Sequence, residues 1–317
     1  MILYLVVPCY NEEKMLPITI SALQKKMDEL EAAGRIDKKS RVLFVDDGSK
    51  DSTWDCIEKT TAAHEWFAGL KLSRNRGHQN ALLAGLDEAR KHCDAAISMD
   101  ADLQDDINAI DEFLEKFNEG CDVVYGVRKK RDTDTVFKRS TALLFYRLIK
   151  AMGVDSVYNH ADYRLMSRRA LDGLMQYNES NLFLRGIIPQ IGYRSDYVYY
   201  DRGAREEGES KYPLRTMISF ALEGITSFSI RPLRIIASLG FITVILSVFG
   251  LMYALISKIT GNAVAGWTAI VASIWLLGGI QLLCIGICGE YIGKIYTEVK
   301  GRPRFFVDVK CNVPDDD

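Results

Sequence analysis

Asp100 and Asp102 stand one residue apart directly behind the run Ala95-Ala96-Ile97-Ser98-Met99. Two carboxylates so spaced at the end of a buried strand can converge on one hard cation. Mg²⁺ and Mn²⁺ prefer oxygen ligands and are commonly held by one or two carboxylates together with substrate phosphates. An isolated Asp-x-Asp reads first as a solvated acidic turn, so its neighbours decide. Pro8-Cys9-Tyr10-Asn11-Glu12-Glu13, Asp46-Asp47-Gly48-Ser49 and Asn75-Arg76-Gly77 each follow another short apolar run, which raises the cation reading well above the turn.

The elements that must position these residues are legible as alternating periods. Apolar runs at 2–7, 42–45, 95–99 and 123–125, with 70–72 as a weaker member, predict strands. Leu16, Ile20, Leu23, Met27 and Leu30 recur at helical spacing, and 80–89 and 107–117 add two more helices. Ser52-Thr53-Trp54-Asp55 predicts a capping box, and Asp105 and Asp106 a helix start with first-turn acids. Alternating strands and helices imply an α/β fold with a mostly parallel sheet covered on both faces, with ligands outside the carboxyl ends of the strands. Gly77, Ala81 and Gly85 lie four apart and predict close helix–sheet approach. Neither a Gly-x-Gly-x-x-Gly turn nor a Gly-Lys-Ser/Thr loop is present, so a nucleotide would have to be held through a cation and side chains. His78 and His160 lack the neighbours of a metal site and read as hydrogen-bonded surface or core residues.

Composition narrows the class. Among 317 residues, 40 basic against 42 acidic side chains leave no basic surplus for nucleic acid. Seven cysteines without paired spacing fit a reducing compartment. Residues 235–257 and 266–289 carry no charge, and each run can cross a hydrocarbon core, which needs about 20 helical residues. Arg231, Arg234, Lys294, Lys300, Arg302 and Arg304 flank the pair and Lys258 alone lies between. The positive-inside rule then puts both termini and the catalytic region on the cytoplasmic face of the inner membrane. The predicted organisation is a catalytic domain over 1–213, an amphipathic juxtamembrane segment over 214–234, a two-helix transmembrane hairpin over 235–289 and a cytoplasmic tail over 290–317.

Seven blocks in order carry a resemblance: Val7-Pro8-Cys9-Tyr10-Asn11-Glu12-Glu13, Val45-Asp46-Asp47-Gly48-Ser49-Lys50-Asp51, Asn75-Arg76-Gly77-His78-Gln79-Asn80-Ala81, Met99-Asp100-Ala101-Asp102-Leu103-Gln104-Asp105, Gly126-Val127-Arg128, Ala161-Asp162-Tyr163-Arg164-Leu165-Met166 and Gly208-Glu209-Ser210-Lys211-Tyr212. Together with the hairpin, the chain resembles glycosyltransferase family 2, and within it the polyprenyl-phosphate glycosyltransferases of the bactoprenol glucosyltransferase and dolichol-phosphate mannose synthase kind. The resemblance implies a GT-A fold, Mg²⁺ or Mn²⁺, a nucleotide sugar donor, a polyprenyl phosphate acceptor, inversion at the anomeric carbon and a homo-oligomer. It further implies donor contacts from Pro8, Tyr10, Glu12 and Asp46, with Asp100 on the sugar and ribose side, Asp102 on the cation and Gln104 assisting. The Gln-x-x-Arg-Trp block expected of processive relatives is absent, the region reading Asn181-Leu182-Phe183-Leu184-Arg185-Gly186, which favours transfer of a single sugar.

A phosphate monoester has a second pKa of about 6, so the acceptor is already ionised near neutrality and needs little help from a base. Asp162 is therefore a catalytic candidate with four readings: base, partner of Arg164, part of the acceptor site, or an aid to the cation. Two anions must instead be drawn together, and guanidinium groups match phosphate bidentately. Arg128, Arg131 and Arg139 are the candidates for the lipid phosphate, and Lys211, in a predicted lid, for the donor phosphates. UDP-glucose and undecaprenyl phosphate are the expected substrates. A processive or other-acceptor member of the family, and a membrane-tethered receiver domain built on Asp46-Asp47, are the competing readings.

Overall fold

The computed structural model describes residues 1–129, 160–179, 184–201, 231–259 and 266–314. Arg131, Arg139, Lys211, the predicted lid and most of the predicted juxtamembrane segment lie outside the described residues.

The chain divides into two units, one holding the sheet and its helices together with the C-terminal residues from Arg302, the other holding two long helices. The strands of the first unit are β1 (Leu3–Cys9), β2 (Arg41–Asp46), β3 (Phe67–Leu72), β4 (Ala95–Ser98), β5 (Val123–Arg128), β6 (His160–Ser167), β7 (Ser195–Tyr200) and β8 (Val307–Cys311). Its helices are α1 (Leu16–Ala32), α2 (Thr53–Ala63), α3 (His78–Ala89), α4 (Ala109–Asn118), α5 (Arg168–Met175) and the single turn α6 (Leu184–Ile187). The strands form one sheet in the order β7-β5-β6-β4-β1-β2-β3-β8. β4, β1, β2 and β3 run parallel, β6 runs antiparallel to β4 and β5, and β8 runs antiparallel to β3.

β1 is buried at every position, as a central parallel strand with both faces covered should be. Leu3, Leu5 and Val7 join Leu16, Leu23 and Met27 of α1 and Phe113 of α4 in one core. On the other face α3 packs down on β1 and β2. A Cβ on Gly85 would stand 2.4 Å from Val6 Cγ1 and 2.6 Å from Val45 Cγ2, so the predicted close approach is real there. Gly77 serves differently: it precedes α3 with φ 86° and has open space around it.

Two local expectations are corrected. Ser52 makes no side-chain cap on α2; the Asp51 carboxylate accepts the Thr53 amide at 3.1 Å instead. α4 begins at Ala109, not at Gln104, because Asp106 folds back to accept the Asn108 amide. The described residues of the expected tail over 290–317 carry the end of a long helix and an edge strand. In the second unit α7 (Arg231–Ile259) is followed by α8 (Trp267–Lys300), which runs on past the last apolar residues until Gly301 turns left-handed at φ 53°. Polarity alone does not end a helix; a glycine that can adopt αL does. The chain then returns as β8 to the free edge of β3.

That return is firmly tied. Ser73 donates its amide to Phe306 O at 2.9 Å, Asn312 donates its side-chain amide to Phe67 O at 2.8 Å, and Lys310 pairs with the buried Glu88 carboxylate at 2.5 Å. Among the described residues one stretch, Leu276–Lys300, is long and apolar enough to cross a membrane, with mean hydropathy 1.5. Leu276, Leu282, Leu283 and Ile285 are exposed, whereas the core helix of a water-soluble domain would bury them.

Candidate active site

The carboxyl ends of the parallel strands bring three loops together. Asn11, at φ 55° just after β1, donates its backbone amide to the Ser49 hydroxyl oxygen at 3.0 Å and accepts the Lys50 amide on its side-chain oxygen at 2.9 Å. Gly48 holds φ 66°, and a Cβ there would strike the backbone nitrogen of Asn75 at 2.6 Å. The loop after β2 is thereby wedged between the loops after β1 and β3.

The two acids of that loop have separate tasks. Asp47 accepts the amides of Arg76 and Gly77 at 2.7 and 2.8 Å and so fixes the entry to α3. Asp46 is fully buried at the end of β2 and accepts the Ser49 amide at 3.3 Å. Burial pushes both carboxyls above the usual carboxylate range, against the pull of these hydrogen bonds. Neither side chain has the accessibility that a phospho-acceptor aspartate needs. Pro8 is buried in β1, while Tyr10 beside it is 42 % exposed and offers a flat apolar face at the rim.

Asp100 and Asp102 follow β4 as expected. Leu103 adopts φ 51°, sterically costly for a γ-branched side chain, and such strain persists only where the surroundings over-determine it. The left-handed turn closes the loop: the Gln104 amide donates to Asp102 Oδ1 at 3.2 Å, and Leu103 packs against the core. Burial, together with the charges of Asp162, Asp105 and Asp102 and against the help of His78, pushes the Asp100 carboxyl up to about 6. The described residues contain no group of three or more metal-type ligands, so a divalent ion would rest on Asp100 and Asp102 and take its remaining oxygens from phosphate.

Asp162 lies near the start of β6, and because Ser98 pairs with Arg164, the antiparallel register carries Asp162 to the same end of the sheet as Asp100. The Ser98 hydroxyl donates to Asp162 O at 2.5 Å and anchors the strand there. Two arginines grip the Asp162 carboxylate. Arg164 Nη2 donates to Oδ1 at 2.5 Å, while Arg185 of α6 makes a two-pronged pair, Nε to Oδ1 at 3.1 Å and Nη2 to Oδ2 at 3.0 Å. Burial pushes this carboxyl up, but Arg185 and Arg164 outweigh it and hold it well below the usual carboxylate range. His78, the first residue of α3, stands between the acids with Nε2 at 3.7 Å from both Asp100 Oδ1 and Asp162 Oδ2.

At the far side Arg128, ending β5, donates to Asp105 Oδ1 at 3.0 Å, and the Tyr200 hydroxyl from the end of β7 donates to the same oxygen at 2.5 Å. Asp105 is thus a buried tie between β5, β7 and the Asp102 loop, not the first-turn acid of a helix. Sequence reasoning missed Arg185, His78, Asp105 and Tyr200. In the sequence Arg185 stands in a block that lacks the Gln-x-x-Arg-Trp pattern, and the partners of His78 come from β4 and β6, not from its sequence neighbours.

The ends of β2, β1, β4 and β6 thus gather carboxylates with His78 and two arginines at one edge of the sheet. Residues 4–175 match the family model described as glycosyl transferase family 2. An uncharacterized glycosyltransferase, YkoT, of Bacillus subtilis is 52 % identical over 97 % of this chain and 91 % of its own. The SfII prophage-derived bactoprenol glucosyl transferase of Shigella flexneri is 39 % identical over 96 % of each chain. Among solved structures, glucosyl-3-phosphoglycerate synthase from Mycobacterium tuberculosis aligns with TM-score 0.49 and 17 % identity over 72 % of this chain and 78 % of that one. Matched by the family model over residues 4–175 and by relatives from end to end, the chain is a glycosyltransferase and belongs to glycosyl transferase family 2.

Proposed function

We propose that the protein transfers one sugar, glucose from UDP-glucose, to a polyprenyl phosphate of the undecaprenyl type at the cytoplasmic face of a membrane, with inversion at the anomeric carbon. The observation that carries this reading is the union in one chain of a strand-end acid cluster with long exposed apolar helices whose far end returns to the catalytic sheet. The relatives named bactoprenol glucosyl transferase support the same acceptor class.

Connectivity supports a two-crossing hairpin. The strands β1–β7 precede α7, and β8, which pairs with β3, follows α8. A single crossing would strand β8 on the opposite face from its partner, which favours an even number, with α7 as the other helix available among the described residues.

In the reaction, a phosphate oxygen of the acceptor attacks the anomeric carbon from the face opposite the nucleotide. A new C–O bond forms, the bond to the nucleoside diphosphate breaks, and the leaving group departs with the electron pair. No proton need be removed, since the phosphate is already ionised. Asp46, Tyr10, Pro8 and Glu12 are the candidates for the base and ribose, and Asp100 for the sugar. Asp102 and Asp100, with Gln104 beside them, would hold Mg²⁺ or Mn²⁺, which neutralises the diphosphate as its charge grows. Arg128 on β5, paired with Asp105, is with Arg131 and Arg139 the candidate for the acceptor phosphate, and Lys211 the candidate for the donor phosphates.

The test is to incubate purified full-length protein with UDP-glucose, divalent cation and undecaprenyl phosphate, and to analyse lipids by mass spectrometry. A product heavier by one hexose is expected. Polymer, or no lipid-linked hexose with any UDP- or GDP-sugar, would overturn the reading.

A further inference from the structure

Asp162 occupies the position at which a family 2 enzyme would offer a general base, yet its surroundings are wrong for one. A base must be ready to take a proton, and a carboxylate gripped by Arg164 on one oxygen and by Arg185 on both is stabilised in its charged form. The same geometry looks purposeful from the side of the arginine. α6 is a single helical turn, and the paired hydrogen bonds to Asp162 fix the plane of the Arg185 guanidinium. Arg185 is nevertheless 38 % exposed and His78 44 %, against 2 % for Arg164, so a ligand can reach the first two.

Their place along the sheet is informative. In the order β2-β1-β4-β6 the end of β2 carries Asp46 and the end of β4 carries Asp100, with Asp162 one strand further on. Neighbouring strands lie about 4.8 Å apart, so Asp162 stands about 14 Å from Asp46, on the side of the sugar remote from the base. Asp162 Oδ2 is approached by Arg185 Nη2 at 3.0 Å and by His78 Nε2 at 3.7 Å, so both nitrogens lie within reach of a single phosphate group.

Resting on the proposed lipid-phosphate acceptor, we infer that Asp162 is a positioning residue that holds Arg185 in a fixed plane, and that Arg185, with His78 beside it, receives the acceptor's phosphate across from Asp100. The phosphate meets a cation that is already oriented, and its attacking oxygen is kept between that cation and the anomeric carbon. The carboxylate transfers no proton.

Steady-state kinetics of the purified full-length protein with UDP-glucose and undecaprenyl phosphate test this, using Arg185→Ala, Arg185→Lys and Asp162→Asn. Arg185→Ala should raise KM for the lipid phosphate by about tenfold or more, the worth of one charge-assisted contact, while the dissociation constant for UDP-glucose with Mn²⁺, read by calorimetry, stays within about twofold. Arg185→Lys should recover part of the loss, and Asp162→Asn should raise the same KM with a smaller change in kcat. Thermal unfolding identifies a variant that fails to fold, in which case Arg185→Gln replaces Arg185→Ala. An unchanged lipid-phosphate KM in Arg185→Ala, a loss confined to donor affinity, or an Asp162→Asn defect confined to kcat would each overturn the inference. Wild-type protein that glucosylates undecaprenol but not undecaprenyl phosphate would overturn the acceptor reading as well, and is recognisable before any variant is made.

Discussion

Replacing Asp105 by alanine should cost the catalytic unit more than any other single change at the cleft. Asp105 is 2 % exposed, and its Oδ1 accepts from Arg128 at 3.0 Å and from the Tyr200 hydroxyl at 2.5 Å. At that separation and an effective dielectric constant of about 20, the Arg128–Asp105 attraction is worth about 5 kcal/mol. The desolvation of two ions offsets most of it, so the intact pair contributes little net stability, yet removing one partner alone costs about 3–5 kcal/mol. Arg128 retains some exposure, which puts the expected loss at the lower end, about 3 kcal/mol. A domain of this size loses roughly 2–4 °C of Tm per kcal/mol, so Asp105→Ala should melt about 6–12 °C below wild type. Asp105→Asn keeps the acceptor oxygen for both donors and should lose less than half as much. Tyr200→Phe removes one of the two bonds, and its effect should be less than additive with Asp105→Ala because both act on the same oxygen. Intrinsic-fluorescence melting of detergent-purified protein reads all four. Asp105→Ala melting within about 1 °C of wild type, or strict additivity with Tyr200→Phe, would refute the account of Asp105 as the tie between β5 and β7.

Gly85→Ala should lower Tm despite the better helix propensity of alanine, because the new methyl has two stiff valines within 2.6 Å; overpacking of this kind costs about 1–3 kcal/mol, and a melting curve equal to wild type would refute the close approach. Asp100 is raised in the folded state, so the folded protein binds more protons than the unfolded one between about pH 4 and 6, and stability falls as pH rises through that window. Asp100→Asn should therefore raise the Tm of the cation-free protein at pH 7.5 and leave it unchanged at pH 4, while abolishing transfer. The opposite sign holds for Asp162: its depressed carboxyl stabilises above the unfolded value and is lost only in strong acid, so the acid limb of kcat should follow the acceptor phosphate near pH 6 and persist in Asp162→Asn. Chelation should abolish transfer and Mn²⁺ should restore it in wild type but not in Asp102→Ala, measured as glycolipid formed per minute.

The sequence by itself determined the central sheet, because β1 through β5 are short apolar runs between helical periods and their carboxyl ends carry the polar blocks. It also determined the pairing of Asp100 with Asp102 and the family, since those features are local and contiguous in the chain. β6 and β8 escaped it, and both pair antiparallel to their neighbours. β8 is mostly exposed, so its alternation carries little hydrophobic signal, and its strand character comes from the open edge of β3. Only the tertiary structure decided what Asp162, His78, Asp105 and Arg185 do. Each gains its meaning from a charge more than 20 residues away, and electrostatic interaction depends on distance in space, which for Asp162 means two arginines and a histidine that three different elements bring to one carboxylate.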